Sequence, residues 1–120
     1  MLEAKQSSYQ KLFEANNAEI AQLFDDINKY ATLIENTPSL KAEYSSVTKK
    51  RDEANAFKDQ GDQASDNSEK LSAYVNATRK QNSLIPQLNN LMNSILLANE
   101  LAPASPVTPP VTAVDTPSLS

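Results

Sequence analysis

Neither cysteine nor histidine occurs in this chain of 120 residues. Disulfide bonds are therefore excluded, as are zinc sites built from thiolates or imidazoles. A serine or cysteine nucleophile activated by histidine is excluded for the same reason. Carboxylates are the main side chains left for acid-base or metal chemistry, and nothing in the sequence positions them. We therefore expect no enzymatic activity and no cofactor.

The acidic residues between 59 and 66 invite comparison with a calcium-binding loop, because Asp59, Asp62 and Asp66 lie close to Gly61. Such loops place ligands at alternate positions and close with a bidentate glutamate at the twelfth. The order and the closing residue do not fit here. We expect no metal site and interpret Gly61 as a hinge between helices.

Glycine is nearly absent too, with Gly61 as the single example, and five of the seven prolines fall within residues 103–120. A β-rich fold of this length needs turn residues about every 8–12 positions. A phosphate-binding loop needs several glycines. The composition predicts an all-α fold.

The net charge of −4 is spread thinly, and the one basic run, at 49–51, is followed at once by Asp52 and Glu53. Binding to nucleic acid needs clustered positive charge, so we expect no such partner. The first residues lack the basic and apolar regions of a secretory signal. We expect synthesis in the cytoplasm without export.

A heptad pattern runs through residues 2–34. Two rows of mostly apolar residues, offset by four, share one helix face for about five heptads. Gln6 interrupts the a row, which holds the isoleucines, and Asn16 interrupts the d row. Asn16 either forms a hydrogen bond across helices or marks a frayed position. The seam consists of Leu2, Tyr9, Phe13, Asn16, Ile20, Leu23, Ile27, Tyr30 and Ile34.

Further apolar residues widen this seam, with Leu12 and Leu33 at g and Phe24 and Ala31 at e. In two-stranded coils these positions usually carry paired charges. The wide face favours a helix that touches two partners in a bundle, with a two-stranded coil as the alternative.

The first helix is expected over 3–36 and a second over 38–60, because Pro38 disfavours helix in the residue before it and suits a helix start. Residues 60–70 contain no large apolar side chain and predict an exposed loop. The stripe of the second helix, out of phase with the first seam, is Leu40, Tyr44, Val47, Arg51 and Ala54.

A third helix is expected over 67–101. Pro86 predicts either a kink or a new helix capped by Ser83. The stretch 84–102 is the most apolar in the chain, but its amides and Glu100 argue against a membrane span. We expect a buried or partner-facing helix, whose apolar residues are Leu84, Ile85, Leu88, Leu91, Met92, Ile95 and Leu96.

Residues 103–120 form a proline-rich tail, which we expect to be extended or disordered. It serves either as a flexible leash or as a strap along another subunit. The expected contacts of a strap are Val107, Val111, Val114 and Leu119.

These features predict an elongated helical hairpin or three-helix bundle over residues 1–102 with coiled-coil-like packing. The expected function is a non-catalytic structural or assembly protein. Its partners are further copies of itself or a larger structural subunit, as in virion or phage particles, which combine such parts. The alternative is a soluble helical adaptor or chaperone that masks one partner through 84–102.

Overall fold

The computed structural model describes residues 2–101, and 93% of these are helical, with no strand among them. The chain forms α1 (Leu2–Asn28), α2 (Ala31–Glu35), α3 (Pro38–Gln63) and α4 (Asn67–Leu101). The described part measures 65 × 19 × 16 Å. The expected all-helical fold with packed helices is confirmed, whereas the tail and its four predicted contacts lie outside the described residues.

The first helix is shorter than predicted, because a turn at Lys29–Tyr30 separates α1 from α2. Tyr30 has φ −109° and ψ 29°, outside helical values. The backbone hydrogen bonds at this turn join residues three apart instead of four, from Lys29 N–H to Asp26 O at 3.3 Å and from Tyr30 N–H to Ile27 O at 2.9 Å. The turn carries neither glycine nor proline, which is why the sequence does not reveal it.

The second helix is longer than predicted and runs to Gln63. Gly61 therefore lies inside α3 rather than in a loop, and the connection to α4 is only residues 64–66. Asp66 caps the start of α4, since its Oδ2 accepts the Glu69 N–H at 3.1 Å. A glycine is tolerated in the last turn of α3 because the ring of Tyr74 packs against its backbone.

Pro86 does not interrupt α4, which remains helical on both sides of it. The missing N–H leaves the carbonyl of Asn82, four residues earlier, without its helical donor. Both residues are exposed, so water can satisfy that carbonyl. A second helix capped by Ser83 is therefore not formed.

The central helix of the bundle is α4, against which both α1 and α3 pack, while α2 contacts α3 and α4. Contacts between α1 and α4 advance together, from Gln6 with Asn67 to Gln10 with Tyr74, so these helices run parallel. In contrast, α3 is antiparallel to α4, because Lys50 meets Ser83 whereas Asp62 meets Tyr74.

The buried residues of α4 follow alternating steps of three and four, which is the spacing of a coiled-coil core. The row is Tyr74, Ala77, Gln81, Leu84, Leu88, Leu91 and Ile95. On α3 the buried residues recur every seven positions and become steadily smaller along the helix. They are Leu40, Val47, Ala54 and Gly61.

Candidate interaction surface and polar cluster

The predicted seam of the first helix divides into a buried and a half-buried row. Phe13, Ile20, Ile27 and Ile34 of the a row are buried inside the chain's own bundle. The d row is half-buried at Tyr9, Asn16, Leu23 and Tyr30. Within the described structure, the seam is therefore used to hold α1 and α2 on the bundle.

The flanking positions differ between the two sides of the seam. Phe24 at e is 5% exposed and belongs to the core, whereas Leu12 at g is 43% exposed. Ala31 at e is exposed and Leu33 at g is half-buried. The face that contacts the bundle thus widens toward the e side at Phe24 in α1 and toward the g side at Leu33 in α2.

Asn16 forms the cross-helix hydrogen bond that was one of its two interpretations. Its Nδ2 donates to Asn82 Oδ1 on α4 at 3.5 Å, at the long limit for such a bond. Gln6, the other polar interruption, donates from Nε2 to the backbone O of Asn67 at 3.2 Å. Both amides therefore help to hold α1 on α4, Gln6 near the start of α1 and Asn16 near its middle.

Most of the apolar face predicted on α4 lies in the core of the same chain. Four residues are fully buried there: Leu84, Leu88, Leu91 and Ile95. Ile85 and Met92 are half-buried beside them, and Leu96 is 43% exposed. Whether any of these residues also contacts a partner stays a prediction.

Among the large apolar side chains of the described residues, the two with the highest exposed fraction lie at the end of α4. Leu97 is 62% exposed and Leu101 is 75% exposed. They are four residues apart, so they share a helix face. Leu97 lies two residues beyond the buried Ile95, which places it away from the core, whereas Leu101 lies three residues beyond the half-buried Ala98, at the edge of the core-facing side. We call Leu97 and Leu101 the terminal leucine pair.

At the other end of the bundle, a polar cluster joins three helices around Tyr74, which is only 1% exposed. The Tyr74 hydroxyl donates to Asp62 Oδ1 of α3 at 2.8 Å and accepts from Gln10 Nε2 of α1 at 3.1 Å. Lys58 Nζ lies 2.9 Å from Asp62 Oδ2. Lys70 Nζ donates to the Gly61 carbonyl at 3.0 Å. We call these residues the tyrosine cluster.

Gly61 makes this arrangement possible, because the ring of Tyr74 lies directly against its backbone. A Cβ atom at Gly61 would lie 2.5 Å from Tyr74 Cε1, well inside van der Waals contact. The glycine is therefore required by the close approach of a ring and not by an unusual φ, since no glycine here has positive φ.

The ionisable groups of the tyrosine cluster shift one another's pKa. Burial opposes ionisation of Asp62, but hydrogen bonds from Lys58 and Tyr74 outweigh it, so the pKa of Asp62 is lowered. The hydrogen bond to Asp62 raises the pKa of Lys58. Burial, together with the bond to Asp62, raises the pKa of Tyr74. Each shift favours the protonation state present at neutral pH.

This chemistry suits a structural contact better than catalysis. A buried tyrosine whose pKa is raised is a weaker acid that stays protonated at neutral pH, and its hydroxyl is already bonded to Asp62 and Gln10. Across residues 2–101, no group of three or more acidic side chains lies close enough together to hold a metal ion. We therefore interpret the tyrosine cluster as a set of hydrogen bonds that holds α1, α3 and α4 together.

Sequence reasoning missed this cluster, because its members are ordinary polar residues spread over three helices. One available signal was the heptad spacing of Leu40, Val47, Ala54 and Gly61, which places Gly61 on the buried row of α3. Gln81 was also missed, although it falls on the three-four row of α4. It is 1% exposed, and its Nε2 donates to the Phe13 carbonyl at 3.1 Å.

An open groove lies at the junction of α2 with α3. Its rim includes two side-chain bonds that bracket the Lys29–Tyr30 turn. The Tyr44 hydroxyl donates to Asn28 Oδ1 at 2.8 Å, and Lys41 Nζ pairs with Glu35 Oε2 at 2.8 Å. These bonds tie the end of α1 and the end of α2 to the same helix.

None of the described helices combines the length and apolarity needed to cross a membrane. No family model, no curated protein and no solved structure matches the chain.

Proposed function

We propose that this chain is a non-catalytic structural or assembly protein that forms a multi-copy complex, with residues 103–120 as a strap on a neighbouring subunit. The terminal leucine pair carries this proposal. Leu97 and Leu101 form an exposed apolar patch on a helix whose other large apolar residues are mostly buried or half-buried. The pair also lies immediately before the proline-rich segment.

The small apolar area of the terminal leucine pair favours many weak contacts over one strong contact. Fully burying an exposed leucine contributes about 1.5–3 kcal/mol. Two leucines supply only part of what a stable pairwise complex needs, because association itself has a large entropic cost. When the same contact is repeated in a closed or layered assembly, even this small apolar area is enough to hold the copies together. A repeating particle such as a virion is the setting we propose.

The adaptor alternative requires the apolar face at 84–102 to be available to a partner. Leu84, Leu88 and Leu91 are at most 1% exposed in the bundle, so an adaptor would have to open its own core before binding. No contact or charge in the described residues favours that route. We therefore prefer assembly.

The experiment compares the purified full chain with the double variant Leu97→Ser and Leu101→Ser by light scattering across a range of concentrations. We expect a multi-copy species for the parent chain and a smaller species for the variant. Leu12→Ser is the matched control, because it removes an exposed leucine on α1. Circular dichroism checks that all three remain folded. A parent chain that stays monomeric at every concentration would refute the proposal.

A further inference from the structure

We propose that the Lys29–Tyr30 turn is a hinge that allows α1 to leave its own α4 and to pack on the α4 of a second copy. This inference rests on the proposed assembly function and specifies how copies engage. The partner is thus another molecule of the same chain. The α1–α4 contact would form between copies, in addition to the contact made by the terminal leucine pair.

The sequence supports a continuous helix at this joint as well as the interrupted helix of the structure, and we call these the straight form and the bent form. Ile27, Tyr30 and Ile34 keep the heptad phase across the turn, as in an unbroken helix. Tyr30 departs from helical φ and ψ, but the backbone of Ile34 still donates to the Tyr30 carbonyl at 3.0 Å. The local pattern therefore favours a continuous helix where the structure has a turn, and a few residues at the end of a helix are where hinges absorb changes of φ and ψ.

The bent form is held from outside by α3. The bond from Tyr44 to Asn28 fixes the end of α1, and the ion pair of Lys41 with Glu35 fixes the end of α2. The paired side chains of Lys41 and Glu35 are 59% and 69% exposed, so water competes for this pair. Release of α1 also uncovers Phe24 and Ile27, which lie in one core cluster with residues of α4, so α1 leaves where the α4 of a second copy covers the same side chains.

The N-terminal part of α1 is also held lightly. Residues 3–12 contain no buried side chain, and the first buried residue of α1 is Phe13. Ahead of it, the hydrogen bonds to α4 come from two amides, Gln6 and Gln10. No ion pair joins α1 to another helix in the described residues. Release of α1 therefore begins at its N-terminus at low cost.

The α3–α4 hairpin keeps its own contacts when α1 leaves. Tyr74 remains bonded to Asp62, and Lys70 still donates to the Gly61 carbonyl, because these contacts do not involve α1. The surface uncovered on α4 is shaped for α1, so the same segment of a second copy fits it equally well. Exchange of an identical element is a low-cost route to association.

The hinge is tested with a matched pair of variants, Tyr30→Ala and Tyr30→Gly. Both remove the same side chain, but alanine favours a continuous helix and glycine opposes it. We expect the ratio of straight to bent form to be about fivefold higher in Tyr30→Ala, the factor given by their difference in helix propensity. The chain has no cysteine, so spin labels can be placed at chosen sites.

Labels at Ser8→Cys on α1 and Ser72→Cys on α4 report the separation of these helices by pulsed electron resonance. Both positions are exposed. The bent form gives a short distance, and a released α1 gives a longer one. The control pair, Ser46→Cys with Asn89→Cys, lies within the α3–α4 hairpin and should give one unchanged distance. Equal distributions in Tyr30→Ala and Tyr30→Gly would overturn the hinge.

Exchange is tested by mixing chains labelled only at Ser8→Cys with chains labelled only at Ser72→Cys. We expect a short intermolecular distance that grows when Tyr44→Phe or Glu35→Gln weakens the bent joint. These two variants also serve if the Tyr30 variants fail to fold. If the chain assembles but no short intermolecular distance appears, exchange is refuted while the assembly function stands. If light scattering finds only monomers, the assembly function fails first.

Discussion

Replacing Gly61 with alanine tests the close packing of α3 on α4 most directly. The new Cβ atom would lie 2.5 Å from Cε1, 2.8 Å from Cδ1 and 3.1 Å from Cζ of Tyr74. The ring cannot simply rotate away, because its hydroxyl is bonded to both Asp62 and Gln10. The helices must therefore separate, or these bonds must break.

Two opposing effects set the magnitude. Alanine is favoured over glycine in a helix by about 1 kcal/mol. Overpacking a close contact costs about 1–3 kcal/mol, and a contact this short belongs at the upper end. We expect Gly61→Ala to lower the free energy of unfolding by about 1–2 kcal/mol. Each kcal/mol corresponds to a fall in Tm of roughly 4–8 °C for a domain of this size.

The assay is urea and thermal unfolding, followed by circular dichroism at several protein concentrations. Tyr74→Ala supplies the second side of a double-mutant cycle, with sucrose added to all four proteins to keep the weakest folded. Without the ring, Gly61→Ala should become stabilising, because only the helix-propensity gain remains. Should Gly61→Ala raise the stability of the parent chain as well, the steric reasoning is wrong.

Three further substitutions address other features. Asp62→Asn tests acid stability: because the pKa of Asp62 is lowered on folding, its contribution is present above about pH 4 and is lost as pH falls through the lowered value. The parent chain should therefore lose more stability than the variant over that window in acid-dependent urea unfolding. Gln81→Leu removes a buried Oε1 that has no partner among the described residues, a cost of about 1–3 kcal/mol, and also the bond from Nε2 to the Phe13 carbonyl, worth about 0.5–1.5 kcal/mol, so we expect a net gain of about 1 kcal/mol in urea unfolding. Pro86→Ala restores a donor for the Asn82 carbonyl, so Tm should rise by the equivalent of about 1–3 kcal/mol.

Much of the core could be predicted from residue spacing alone. The a row from Phe13 to Ile34 and the α4 row from Leu84 to Ile95 are buried as the three-four pattern indicates. The start of α3 at Pro38 also follows from local chemistry. These features are encoded within single helices, so one sequence suffices to find them.

Features that depend on two helices were beyond such reasoning. The turn at Lys29–Tyr30 has no breaking residue and exists where α2 packs on α3 and α4. The place of Gly61 inside α3 depends on a ring contributed by α4. Helix propensity argued for a loop at that glycine, and tertiary packing prevailed.

The narrowing of the α3 row from Leu40 to Gly61 explains why the two ends of the bundle are held differently. Where α3 offers leucine and valine, apolar burial fixes the helices. Where it offers alanine and glycine, less apolar area is available, and the tyrosine cluster supplies hydrogen bonds instead. Hydrogen bonds contribute only about 0.5–1.5 kcal/mol each, so this end is the weaker one for α1. Amide exchange should therefore begin in residues 3–12 and reach Ile20 and Ile27 last. Equal protection along α1 would show that the polar end is as firmly held as the apolar end.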